Sequence, residues 1–236
     1  MNIEEITDRL LAELKPMRFS QPVTHVYNPL IYARHTYHQY FSLYGKKPKE
    51  ILLIGMNPGP YGMVQTGVPF GEVEAVKSWL KIEGEIGCPE HTHPKRPVEG
   101  FHCHRSEVSG RRVWGWAKER YGSPEVFARK FLVLNYCPLV FMEESGRNRT
   151  PDKLPKGERE TLFASCDKAL AATVDFYKPE WVIGIGTFVE KRSKEALLGT
   201  QVNIGRITHP SPANPKANRG WSDCIEEEFE EMGIKL

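Results

Sequence analysis

The sequence predicts an α/β fold: a single domain on a central four-stranded parallel sheet flanked by helices. Three observations point there. Apolar runs of strand length alternate with stretches of helix length, the order that parallel crossovers require. The strand candidates are continuously apolar rather than alternating, as befits strands buried on both faces. A chain of 236 residues with 40% hydrophobic content can also bury one sizeable core.

Taken in order, Ile3, Ile6, Leu10 and Leu14 stand at helical spacing, and Pro16 ends that helix. An aromatic-rich helix is expected over 30–44, stopped by Gly45. Residues 50–56 form the first buried strand. It runs into Asn57-Pro58-Gly59-Pro60, which neither helix nor strand can continue through. Helical stretches follow around 72–82 and 110–121. Ser123-Pro124-Glu125 supplies an N-cap with proline at the first helical position. The second strand, 131–134, leads into Asn135-Tyr136-Cys137-Pro138. A turn-rich loop over 145–159 precedes a long helix, 158–177. The third strand is 181–185, a helix covers 187–198, and the fourth strand is 202–208. That strand runs into His209-Pro210-Ser211-Pro212, and a helix over 219–232 closes the chain.

Composition narrows the function classes. The longest apolar run, Ile51-Leu52-Leu53-Ile54, falls far short of the ~18 residues a membrane helix needs. Glu4, Glu5, Asp8 and Glu13 interrupt the first apolar residues, so no signal peptide and an intracellular protein are expected. Five scattered cysteines without a CxxC pair fit a reducing compartment. A net charge of +2 is too mild to declare a nucleic-acid partner. The basic groups Lys95-Arg96, Arg111-Arg112, Arg147 with Arg149, and Lys216 with Arg219 are expected in loops. Scattered surface cations are their bland reading.

Strands one, two and four each end in a polar, proline-rich turn, and in such sheets the ligand crevice lies beyond the carboxyl ends of the strands. Asn57, Asn135 and His209 therefore converge at one end of the sheet. Each alone has a plain explanation as a turn or loop residue, but the shared position is harder to explain that way. Two amides and an imidazole, with no carboxylate expected beside them, are poorly equipped for covalent catalysis. They suit an amide-like ring and charge developing on it.

The segment Gly55-Met56-Asn57-Pro58-Gly59-Pro60-Tyr61-Gly62-Met63, with Gln65 to Glu72, resembles the first motif of the single-strand-selective monofunctional uracil-DNA glycosylases. His209-Pro210-Ser211-Pro212 with Ala217-Asn218-Arg219-Gly220-Trp221 resembles their second. His93 to Pro97, Ser106 to Gly110 and Ser145 to Asn148 match the stretches between, and the likeness spans roughly 25–232. Thymine/mismatch glycosylases lack the histidine present here as His209. Iron–sulfur relatives carry an acidic residue in place of Asn57 and a four-cysteine cluster.

The resemblance implies a DNA partner containing uracil or a damaged pyrimidine, a monomer, and no cofactor or metal. It implies that Phe70 stacks on an extruded base and Asn135 reads its Watson–Crick edge. Met56 and Gly59 would lie near C5, His209 would donate to O2, and Asn57 would orient the attacking water. Pro210, Ser211, Pro212, Ala213, Asn214 and Lys216 would press into the DNA, with Ala213 standing where many relatives carry arginine. Arg147 and Arg149 are chemically suited to phosphates.

Cys88, His91, His93, His102, Cys103 and His104 lie close in sequence, but their spacing matches no standard zinc module. Gly184-Ile185-Gly186 lacks the third glycine of a dinucleotide fingerprint. A non-catalytic DNA-binding module, or a mismatch- or xanthine-type glycosylase, is the remaining alternative.

Overall fold

A computed structural model describes all 236 residues. In chain order the elements are α1 Ile3–Leu14, β1 Val23–Tyr27, α2 Pro29–Tyr32, α3 Arg34–Tyr44, β2 Ile51–Gly55, α4 Met63–Thr66 and α5 Val73–Ser78. There follow α6 Val108–Tyr121, α7 Pro124–Lys130, β3 Phe131–Asn135, β4 Val140–Glu143, β5 Asn148–Arg149 and α8 Lys156–Tyr177. The last are β6 Trp181–Ile185, α9 Thr187–Ala196, β7 Asn203–Ile207 and α10 Trp221–Glu231.

The four continuously apolar strands pair in parallel in the order β3-β2-β6-β7. Every residue of β2 is buried, which is why its sequence shows no alternation. Register brings the strand ends level: Gly55 faces Asn135, and Ile185 faces Ile207. The carboxyl end of the sheet thus gathers the turns after β2, β3 and β7.

An aromatic layer locks the helices on one side. Phe127 of α7 stacks on Phe131 of β3 with ring centroids 5.0 Å apart, and Trp116 of α6 stacks on Phe229 of α10 at 5.8 Å. Rings of this kind contribute about 0.5–1.5 kcal/mol per pair beyond area burial. Ser123 caps α7 as its sequence implies, accepting from the Val126 amide at 3.3 Å.

The structure departs from the sequence reading in three places. The helix expected over 30–44 is broken at Ala33 (φ −111°, ψ 27°). The Tyr32 carbonyl bonds the Gly87 amide at 2.9 Å, so a tertiary partner takes an acceptor from the helical ladder at the break. The helix expected over 72–82 stops at Ser78, and Lys81 adopts a left-handed conformation (φ 55°). The loop over 145–159 contains β5, part of an unanticipated antiparallel sheet β1-β4-β5. That hairpin folds against the end of β2 and contributes to the site. No helix is long and apolar enough to cross a membrane.

Candidate active site

The turn after β2 is fixed by extending the sheet pairing past its end. The Tyr136 amide bonds the Gly55 carbonyl at 2.8 Å, and the Cys137 amide bonds the Met56 carbonyl at 2.9 Å. Beyond it opens a cavity of about 270 Å³, lined by Met56, Asn57, Pro58, Gly59, Phe70, Asn135 and His209 among others. Its size sits just below the usual range of small-molecule clefts, ~300–1,000 Å³, and suits a single base.

Phe70 forms one wall in a left-handed backbone conformation (φ 53°). Such a geometry in a bulky residue costs on the order of 1–3 kcal/mol and persists only where the surroundings impose it. Two glycines do so. A Cβ on Gly55 would lie 2.5 Å from the Phe70 ring, and one on Gly110 would lie 2.0 Å from the Phe70 carbonyl oxygen. The ring therefore lies against bare backbone at the end of β2.

Asn135, at the end of β3, donates its Nδ2 to the Met63 thioether at 3.2 Å. A thioether is a weak acceptor, so the amide is free to exchange it for a stronger one. Asn57 donates Nδ2 to the Leu139 carbonyl at 3.1 Å, with Pro58 O a longer contact at 3.5 Å. Because carbonyls can only accept, its nitrogen faces the backbone and Oδ1 is left as the available acceptor.

His209 follows β7 and packs over Gly186, where a Cβ would stand 3.4 Å from the ring. The Ser211 amide donates to Nδ1 at 3.1 Å, so Nδ1 carries no proton and Nε2–H is the donor. Burial pushes the imidazole pKa below its ordinary value. His209 is thus a neutral, oriented donor.

The expectation of a pocket without a carboxylate is corrected. Glu107 lines the cavity, beside Gly59 and Gly62. It caps α6, accepting from the Ser109 amide at 3.2 Å and the Gly110 amide at 2.6 Å. Burial pushes its pKa up, partly offset by those amides. Met63, Ser109, Asn148, Thr150 and Ser211 also line the cavity. Glu107, Ser109 and Asn148 stand in stretches already matched to the family, Ser106 to Gly110 and Ser145 to Asn148, and that was their only sequence signal.

The loop after His209 is tied back on itself. Asn214 donates to the His209 carbonyl at 3.1 Å, and Asn218 donates to the Pro212 carbonyl at 2.9 Å. Arg112 of α6, unassigned in the sequence, grips the loop at Pro210 O and Asn218 Oδ1, both at 2.9 Å. Pro210 is buried, whereas Pro212 and Ala213 are exposed at the tip. Lys216 pairs with Glu228 at 2.8 Å, a contact that raises its pKa. Arg149 is held by Glu143 at 2.7 Å and by the Lys153 carbonyl, while Arg147 is exposed and forms no ion pair. His93 has Nε2 on the Glu143 carbonyl and Nδ1 on the Lys95 amide. No three His, Cys, Asp or Glu side chains are grouped to hold a metal ion.

Comparison with known proteins bears on this geometry. A family model described as the uracil DNA glycosylase superfamily matches residues 42–231. The single-strand selective monofunctional uracil-DNA glycosylase of Rattus norvegicus is 46% identical over 228 residues, 96% of this chain and 82% of the relative. Its Mus musculus counterpart gives the same figures. The crystal structure of Pedobacter heparinus SMUG2 superposes with a TM-score of 0.66 at 17% identity, covering 97% of this chain and 98% of that one. At such identity the likeness shows the fold.

Proposed function

Because this chain belongs to the uracil-DNA glycosylase superfamily, we propose that its cavity takes one extruded pyrimidine and hydrolyses the bond joining it to deoxyribose. The enzyme is a monofunctional uracil-DNA glycosylase, its substrate is DNA, and its product is an abasic site for base excision repair. The observation that carries this reading is one cavity holding Asn57, Phe70, Asn135 and His209, drawn from three separate parts of the chain.

Extruding a base costs a few kcal/mol, least when the base is unpaired. Phe70 offers its ring for stacking, worth about 1–3 kcal/mol per base. Asn135 presents a donor and an acceptor to uracil O4 and N3–H. Cytosine reverses both and leaves buried groups unpaired, which rejects it by ~10⁴ in favourable cases.

As the C1′–N1 bond breaks, its electron pair moves onto the base, chiefly to O2. The Nε2–H of neutral His209 meets that charge, and one such donor is worth ~10²–10³ in rate. Asn57 Oδ1 accepts from the incoming water. No lysine lines the cavity, so a Schiff base and strand scission have no nucleophile. A base with a small polar substituent at C5 fits beside Gly59. The short Ala213 at the loop tip favours single strands, and the protein works as an intracellular monomer.

The test is incubation with a single-stranded oligonucleotide containing one uracil, followed by alkali. Scission only after alkali is expected. A panel of uracil, 5-hydroxymethyluracil, thymine, hypoxanthine and xanthine fixes the base preference. No base released from any of them would remove the reading.

A further inference from the structure

Asn148 is one of the cavity residues the mechanism above leaves without a task. It sits in β5, ninety residues from Pro58 in sequence, and donates Nδ2 to the Pro58 carbonyl at 3.3 Å. Asn57 points its own Nδ2 at the same carbonyl, at 3.5 Å, while bonding Leu139 O more closely. A carbonyl oxygen accepts and never donates, so in both residues the nitrogen faces Pro58. Both amide oxygens are thereby turned away from it. The Asn148 Oδ1 is buried and has no hydrogen-bond partner within the protein. An unmet buried acceptor costs ~1–3 kcal/mol and calls for a reason.

We propose that Asn148 is a second water-holding residue, whose Oδ1 acts with that of Asn57 to accept both hydrogens of the attacking water. The inference rests on the glycosylase reading. A neutral amide oxygen is a weak base, so one alone fixes only one O–H direction. Two acceptors anchored on one carbonyl fix both, and the remaining lone pair of the water is left to face C1′. In the reaction, C1′–N1 breaks with its electron pair leaving on uracil. The water oxygen bonds to C1′, and the proton it sheds passes through solvent to neutralise the uracil anion. Water and deoxyuridine become an abasic sugar and uracil, with no oxidant or co-reactant. Orienting a nucleophile in this way is a proximity effect, and small misplacements are costly in rate.

The experiment is single-turnover base release by Asn148→Ala on a saturating uracil-containing single strand, with methanol added as a competing nucleophile. The expected result is a rate about 10- to 100-fold below wild type, with oligonucleotide affinity within twofold. The methanol-to-water product ratio should rise, because a structural role would not alter which nucleophile captures the sugar. Asn148→Asp keeps acceptors in place, so it should recover rate at neutral pH and lose it as acid protonates the carboxyl. It also serves if the alanine variant fails to fold. Unchanged rate and product ratio in Asn148→Ala, or an Asp variant without an acid limb, would overturn the proposal while leaving the glycosylase reading intact. No base release by the wild type would overturn both.

Discussion

Replacing Gly55 with alanine asks whether the Phe70 wall is set by the end of β2. The new methyl would lie 2.5 Å from ring atoms Cε2 and Cζ of Phe70 and 2.9 Å from Asn135 Oδ1, where ordinary contact begins near 3.4 Å. The strand cannot move aside, because β2 is hydrogen-bonded to β3 on one side and β6 on the other. Phe70 and the Asn135 amide must therefore yield by up to about 0.9 Å, which pushes the ring into the space a base would occupy. Overpacking of this kind costs about 1–3 kcal/mol of stability. A displacement near 1 Å in a positioning group costs on the order of 10² in rate. Single-turnover release of uracil, paired with a urea denaturation curve, measures both. A folded Gly55→Ala protein with a rate within threefold of wild type would refute the argument that bare backbone supports the stacking wall.

Three further outcomes follow from the same geometry. Glu107→Ala should lose about 0.5–2 kcal/mol as α6 loses its cap, with Glu107→Gln losing less; equal melting temperatures for all three proteins would contradict the capping role. Ala213→Arg should tighten binding to duplex DNA and steepen its salt dependence by up to about 0.9 per added phosphate contact, checked by fluorescence anisotropy, and unchanged affinity would contradict it. The third concerns pH. The unfolded chain protonates His209 near the ordinary value of 6.5, whereas the folded chain does so only at lower pH. The unfolded state therefore binds more protons in that window, and the His209 contribution is complete above pH 6.5 and lost on acidification. Glu107 acts oppositely: its raised folded pKa makes its contribution fade as pH rises through that value. The melting-temperature difference between wild type and His209→Asn should thus narrow below pH 6.5; a constant difference would remove the claim that His209 is held neutral.

Legibility in the sequence followed locality. The strands β2, β3, β6 and β7 were readable because their own residues are apolar without a break, and the Ser123-Pro124 cap because it acts within one turn. The second sheet was not, because β1 buries only Val23 and Tyr27 and β5 has two residues, too few to show a period. The break at Ala33 depends on Gly87, a tertiary partner no local pattern reveals. The same logic divides the site. Asn57, Asn135 and His209 each stand at or just past a strand end and could be placed from strand ends alone. Glu107 precedes α6 and Asn148 sits in the small hairpin, and only the packing of those elements against the Pro58 turn makes them cavity residues. The ion pairs of Arg149 with Glu143 and of Lys216 with Glu228 were not legible either, because each joins segments that only the fold brings together.

The measurement closest to the heart of the account compares Asn57→Ala and His209→Ala under single turnover on a uracil-containing single strand, with oligonucleotide affinity followed in parallel. Each variant should release base about 10²–10³-fold more slowly while binding the strand as wild type does. Near wild-type release by both would mean that this amide and this imidazole do not attend the same departing base.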